Sequence, residues 1–185
     1  NIPTAVTVIE ASTFAGCKKL TNIEIPNSVT EILSGAFCGC ESLTNINIPN
    51  SVTIIEMEAF YDCKSFTNIS IPDSVTKLGG SLFRGCENLT NVKLSNSLTE
   101  IDSSLFEGCK NLTSVVIPAS VINVDIPRYN GGALGGCKGL TSIIVAEGNP
   151  KYDSRGNCNA IIETSTNKLI RGCENTVIPD SVTTI

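Results

Sequence analysis

Nine cysteines in 185 residues invite a metal or redox reading. Their spacing points elsewhere. Cys17, Cys40, Cys63, Cys86 and Cys109 recur every 23 residues, and Cys137 follows 28 residues after the last of them. A zinc site needs four ligands converging on one point, usually from short Cys-x-x-Cys pairs. No such pair occurs; Cys38-Gly39-Cys40 is a Cys-x-Cys that appears once. Cysteines at a long fixed period line a column instead, where each thiol packs as a small apolar group. Neighbours ~4.8 Å apart are within disulfide reach, but parallel side-by-side thiols make the required torsion awkward. The expectation is a buried ladder, with no metal and no cofactor.

Other chemistry is sparse. Histidine is absent, which removes the commonest general base and metal ligand. There is no Gly-x-Ser-x-Gly and no glycine-rich phosphate loop. Glu31, Glu56 and Glu100 fall near equivalent points of different repeats, but with no Trp and three Tyr a sugar has little to stack on. The chain does not read as an enzyme. A net charge of -5 argues against a basic nucleic-acid surface, and no apolar run reaches the ~18 residues of a membrane span. The sequons Asn68-Ile69-Ser70, Asn88-Leu89-Thr90 and Asn111-Leu112-Thr113 arise from the repeat itself and matter only in a eukaryotic source.

The cysteine period is shared. Phe14, Phe37, Phe60, Phe83 and Phe106 keep it, and so do Pro3, Pro26, Pro49, Pro72 and Pro118, with Ser95 in the one vacant place. In each unit an alternating run such as Asn45-Ile46-Asn47-Ile48 predicts a strand with one buried side, ended by proline. Val52 and Ile55 begin a second short apolar run. Ala59, Phe60 and Cys63 are spaced for an inward helical or 3-10 turn. Such a coil buries almost nothing alone and must stack on its neighbours. The predicted fold is a β-rich solenoid whose core holds the Phe and Cys ladders.

The segment "LTNIEIPNSVTEILSGAFCGC" resembles BspA-like leucine-rich repeat proteins, found on bacterial surfaces and in some parasitic protists. The Ile-Pro-x-Ser-Val-Thr run, the Ala/Leu-Phe pair and the trailing Gly-Cys carry the likeness along nearly the whole chain. The resemblance implies a right-handed leucine-rich repeat stack and an exported protein that contacts host or neighbouring molecules. The organisation expected is one solenoid over 1–185: regular repeats over 1–124, a loop insertion at 125–132, an irregular hairpin repeat at 147–177 and the start of a further repeat at 178–185. The chain opens and closes inside repeats, so it reads as a piece of a longer protein. The hairpin places two apolar runs either side of "TSTN", and its Asn-Pro-x-Tyr-x-Ser lead-in resembles the long hairpin repeats of the same proteins.

Function is therefore expected on the outward strand positions. Asn22 with Glu24, Asn45 with Asn47, Asn68 with Ser70 and Asn91 with Lys93 are polar, whereas Val116 and Ile144 are apolar. With Arg128 and Tyr129 of the insertion, the last two form a candidate protein-binding patch, unless the hairpin covers them and extends the core. The partner expected is a protein, of the extracellular matrix or a host surface, met by an extracellular adhesion module. The alternative is a passive spacer displaying another domain. A turn centred between Ser165 and Thr166 pairs residues whose numbers sum to 331, which sets Cys158 opposite Cys173 and suggests a disulfide; two separate thiols are the alternative.

Overall fold

The computed structural model describes residues 1–125 and 132–185. The chain is a β-solenoid of coils of about 23 residues, built on parallel pairing between successive coils. The first run of each coil supplies one strand column. Asn68–Ser70 pairs with Asn91–Lys93, and Ser114–Ile117 with Ser142–Val145. Asn68 faces Asn91 and Val116 faces Ile144, so the longer repeat enters the column without breaking its register.

The second apolar run also forms strands. Val8–Ile9, Glu31–Ile32, Ile54–Ile55 and Lys77–Leu78 make a four-stranded parallel sheet, and Glu100–Ile101 pairs with Asn123–Val124. One residue of each strand faces inward: Ile32, Ile55, Leu78 and Ile101 are buried, and Val124 is half-buried.

The third segment of most coils is a chain of turns, and in one coil it is the expected 3-10 turn, Gly132–Leu134. Two places per coil take positive φ: Ser12, Gly35, Glu58, Ser81 and Ser104 at one, Gly16, Gly39, Asp62, Gly85 and Gly108 at the other. Left-handed residues spaced this closely cannot continue a right-handed helix. The repeated Gly of Gly-Cys is explained by the second position, which Asp62 occupies at φ 54°.

Between the turns and the strands lies the core. Phe37, Phe60, Phe83 and Phe106 are fully buried and stack near-parallel, with centroids 5.6 to 5.9 Å apart between neighbours. From Cys40 to Cys137, each thiol of the ladder donates to the carbonyl of the Phe one coil back. Cys63 reaches Phe37 O at 3.2 Å, Cys86 reaches Phe60 O at 3.2 Å, Cys109 reaches Phe83 O at 3.1 Å, and Cys40 and Cys137 do the same to Phe14 and Phe106. That carbonyl also accepts the amide of its own coil's cysteine, as Phe60 O does from Cys63 N at 3.2 Å. Cysteine is small and apolar enough for the site and still offers a weak donor to the second lone pair.

The ladder is incomplete at one end. Cys17 is exposed and Phe14 half-buried. Ser95, which replaces the proline, is fully buried; its hydroxyl donates to Val75 O at 2.6 Å.

The hairpin follows the last regular strand, and the chain after it pairs back onto its final strand, Leu169 N donating to Thr184 O at 2.9 Å. Tyr152–Asp153, Ala160–Glu163 and Lys168–Gly172 form a three-stranded antiparallel sheet. The lead-in motif fastens it. The Asn149 side chain donates to Pro118 O and Val121 O and accepts from the Lys151 and Tyr152 amides, while Tyr152 is buried. Ser154 Oγ accepts from Val145 N at 2.9 Å and donates to Ala160 O at 2.7 Å, joining the last regular strand to the hairpin.

Three outcomes follow from this core. Phe60→Ala costs about 3–5 kcal/mol in urea unfolding, since coils on both sides limit collapse of the cavity, and Phe14→Ala costs markedly less. The buried thiols give a pH dependence. Burial pushes Cys40 and Cys137 up to about 11 and raises Cys63, Cys86 and Cys109 as well. Unfolded thiols ionise near ~8.5, so above that value the native state holds more protons than the unfolded one. Their contribution is fully present below ~8.5 and is lost as pH rises through the native values. The melting temperature therefore falls between about pH 9 and 11, and less so in Cys86→Ala. Under native conditions iodoacetamide labels Cys17 and spares Cys63, Cys86 and Cys109; labelling of Cys63 in folded protein would contradict the coil register.

Candidate functional site

The first strand column presents one surface. Its buried positions, Ile46, Ile69, Val115 and Ile143, alternate with outward ones because successive side chains of a strand point to opposite faces. Asn45, Asn47, Asn68, Ser70, Asn91 and Lys93 are exposed. Asn91 Nδ2 donates to Asn68 Oδ1 at 2.9 Å, so part of this amide ladder satisfies itself across coils. Beside it an open depression of about 450 Å³ is lined by Asn47, Asn50, Ser70, Asp73 and Lys93 among others. Asp73 accepts from the Asn96 backbone and side-chain amides, and these hydrogen bonds hold its carboxyl below the ordinary carboxylate range.

Val116 and Ile144 sit side by side at the end of this column, paired in the parallel ladder and each 48% exposed. The hairpin does not cover them. Ser114 and Ser142, two residues earlier, are half-buried. Arg128 and Tyr129, placed by the sequence in the same patch, lie outside the described residues.

The expected bridge between Cys158 and Cys173 is not formed; all nine cysteines are free. The turn has the expected centre, since Ile162 faces Leu169 and Glu163 faces Lys168. One pair further on, Ile161 faces Arg171, and the bulge leaves Ile170 without an opposite residue. A one-residue slip turns the following side chains to the other face. Cys158 is buried, and Cys173 donates to Asn159 O at 3.3 Å. Among the described residues no three His, Cys, Asp or Glu side chains converge as metal ligands, and no helix is long and apolar enough to cross a membrane.

The sequence reading missed the second sheet as a surface. The signal was present in the column Glu31, Ile54, Lys77 and Glu100, which repeats every 23 residues beside a buried position.

Comparison with known proteins places this architecture. A leucine-rich cell surface protein from Faecalibacterium prausnitzii is 32% identical, with TM-score 0.77 over 91% of this chain and 44% of its own. The leucine-rich repeat protein of T. pallidum is 33% identical, with TM-score 0.68 over 78% of this chain and 63% of its own. The pneumococcal vaccine antigen PcpA, at 20% identity, shares the fold with TM-score 0.78 over 96% of this chain and 46% of its own. The chain thus spans less than two thirds of each of these structures. No curated protein matches the sequence. The BspA type leucine rich repeat region matches in six copies over residues 7–141. With its coil length, strand column and Phe and Cys ladders accounted for by that repeat, the chain belongs to the BspA-type leucine-rich repeat family.

Proposed function

We propose that the chain is a protein-binding, adhesive module of a protein displayed at the cell surface, and that it meets extracellular-matrix or host surface proteins through the first strand column. Repeat scaffolds of this family are typically non-enzymatic binding surfaces, and the similar solved structures include a cell surface protein. The observation that carries the reading is the Val116–Ile144 pair. Two adjacent aliphatic side chains, each about half exposed, end a ribbon that is otherwise amide and hydroxyl. An apolar centre beside a polar rim is the composition of a protein interface. Arg128 and Tyr129 belong to the proposal by their place in the sequence insertion.

A passive spacer is the second reading. It is favoured by the uniform Asn-rich stretch from Asn45 to Asn91, where one coil's outward face differs little from the next.

The test is binding of the purified solenoid to immobilised fibronectin, laminin and collagen, with Val116→Thr and Ile144→Thr combined in one variant. Saturable binding to one of them, weakened about tenfold in the variant at unchanged melting temperature, is expected; that is ~1.4 kcal/mol, within what covering two half-exposed aliphatic side chains supplies. Binding unaffected by the substitutions removes the patch. No binding to any matrix protein supports the spacer.

A further inference from the structure

The second sheet has a different electrostatic character from the first. Its outward positions form two columns, one running Val8, Glu31, Ile54, Lys77, Glu100, Asn123 and the other Glu10, Leu33, Glu56, Gly79, Asp102, Asp125. Six carboxylates against one lysine give these columns a charge of -5, equal to the chain's net -5. The first column carries one Glu and one Lys, Glu24 and Lys93, and is neutral. Elsewhere charges pair across coils, as Lys18 with Glu41 and Lys110 with Glu87, each at 2.9 Å. Acidity is thus concentrated on one sheet, and Lys77 offsets it through Glu100 only at 3.9 Å.

The same sheet is hollowed at its middle. Gly79 and Gly80 stand where the preceding coil has Glu56 and Met57 and the following coil has Asp102 and Ser103. Beside these glycines is an open depression of about 410 Å³, walled by Ile54, Ile55 and Met57 and rimmed by Glu56, Lys77 and Asp102. Ile54 is 39% and Met57 57% exposed. The hollow is fixed by the backbone: a Cβ on Gly79 would lie 2.0 Å from Met57 N. Glu56 is fixed too, accepting from Ser34 N at 3.0 Å and Ser34 Oγ at 2.6 Å.

We propose that this depression docks a basic segment of a partner protein, one apolar side chain seating against Ile54 and Met57 while flanking lysines or arginines meet Glu56, Glu100 and Asp102. The occupant follows from complementarity. Exposed aliphatic and thioether surface selects an apolar residue, and the acidic rim attracts cationic neighbours and repels anionic ones. The pinned Glu56 and the rigid glycine floor lower the ordering cost of binding. This surface lies on the other sheet from Val116 and Ile144, so either proposal can fail alone.

The test is fluorescence polarisation with labelled Lys-Leu-Lys-Leu-Lys-Leu-Lys against its equally charged counterpart Lys-Ser-Lys-Ser-Lys-Ser-Lys. The leucine peptide is expected to bind more tightly, to weaken about tenfold when Ile54→Ser and Met57→Ser are combined, and to weaken similarly when Glu100→Gln and Asp102→Asn are combined. Its binding also weakens with added salt, and it is unchanged in the Val116→Thr, Ile144→Thr protein. All variants substitute exposed or half-buried side chains, and unchanged melting curves establish that they fold. Equal binding of the two peptides, indifference to the Ile54 and Met57 substitutions, or no binding of the leucine peptide overturns the proposal.

Discussion

A buried backbone group must find its hydrogen-bond partner, and in this chain the partner is usually one coil away. Phe37 N donates to Ala59 O at 2.8 Å, and Phe83 N to Leu105 O at 3.0 Å. Such bonds form only if equivalent residues arrive at equivalent depths. Coil length is therefore fixed wherever chain is buried, and it is free to change only outside. Across the longer step from Cys109 to Cys137 the register is kept: Phe106 N still donates to Ala133 O at 2.8 Å, and Val115 still pairs with Ile143. The cysteine ladder belongs to the same accounting. The Phe carbonyl has a second lone pair inside an apolar core, and the thiol of the next coil supplies the missing donor.

Much of this was legible because the repeat multiplies each signal. A lone Ile-x-Ile is weak evidence for a strand; the same pattern at one phase in coil after coil is strong. What escaped was carried by single residues or by position in the stack. The turn segment looked helical because Ala59, Phe60 and Cys63 have inward spacing, and the left-handed residues that forbid a helix include Glu58 and Asp62, which do not advertise positive φ. The hairpin register was right at Ile162 and Leu169 and failed one pair later, because a bulge has no reliable residue signature. Cys17 has much the same sequence context as Cys40, yet the first thiol is exposed and the second buried. The apolar pair at Val116 and Ile144 was readable from alternation alone, whereas the hollow at Gly79 and Gly80 appears only when three coils are laid side by side.

The two sheets show how one fold serves different surfaces. Each strand commits one or two side chains to the core and leaves its outward positions unconstrained by packing. On the first sheet those positions are neutral amides and hydroxyls, closing on an aliphatic pair; on the second they are carboxylates around exposed Ile54 and Met57. The exposed ion pairs on other parts of the coil, such as Lys18 with Glu41, contribute little to stability, because such pairs gain modest energy in water.

The parallel pairing also sets how the molecule carries load. Its interstrand hydrogen bonds point along the stacking direction, so tension applied between the two ends pulls them apart one row at a time instead of shearing many at once. Each coil occupies ~4.8 Å of stack yet stores some 23 residues, which extend to about 80 Å when drawn out. Peeling a coil therefore lengthens the chain by more than tenfold its folded contribution. A stack of this kind is stiff against bending and compliant under tension, a spring whose slack is released coil by coil and rewound on the exposed edge of the next.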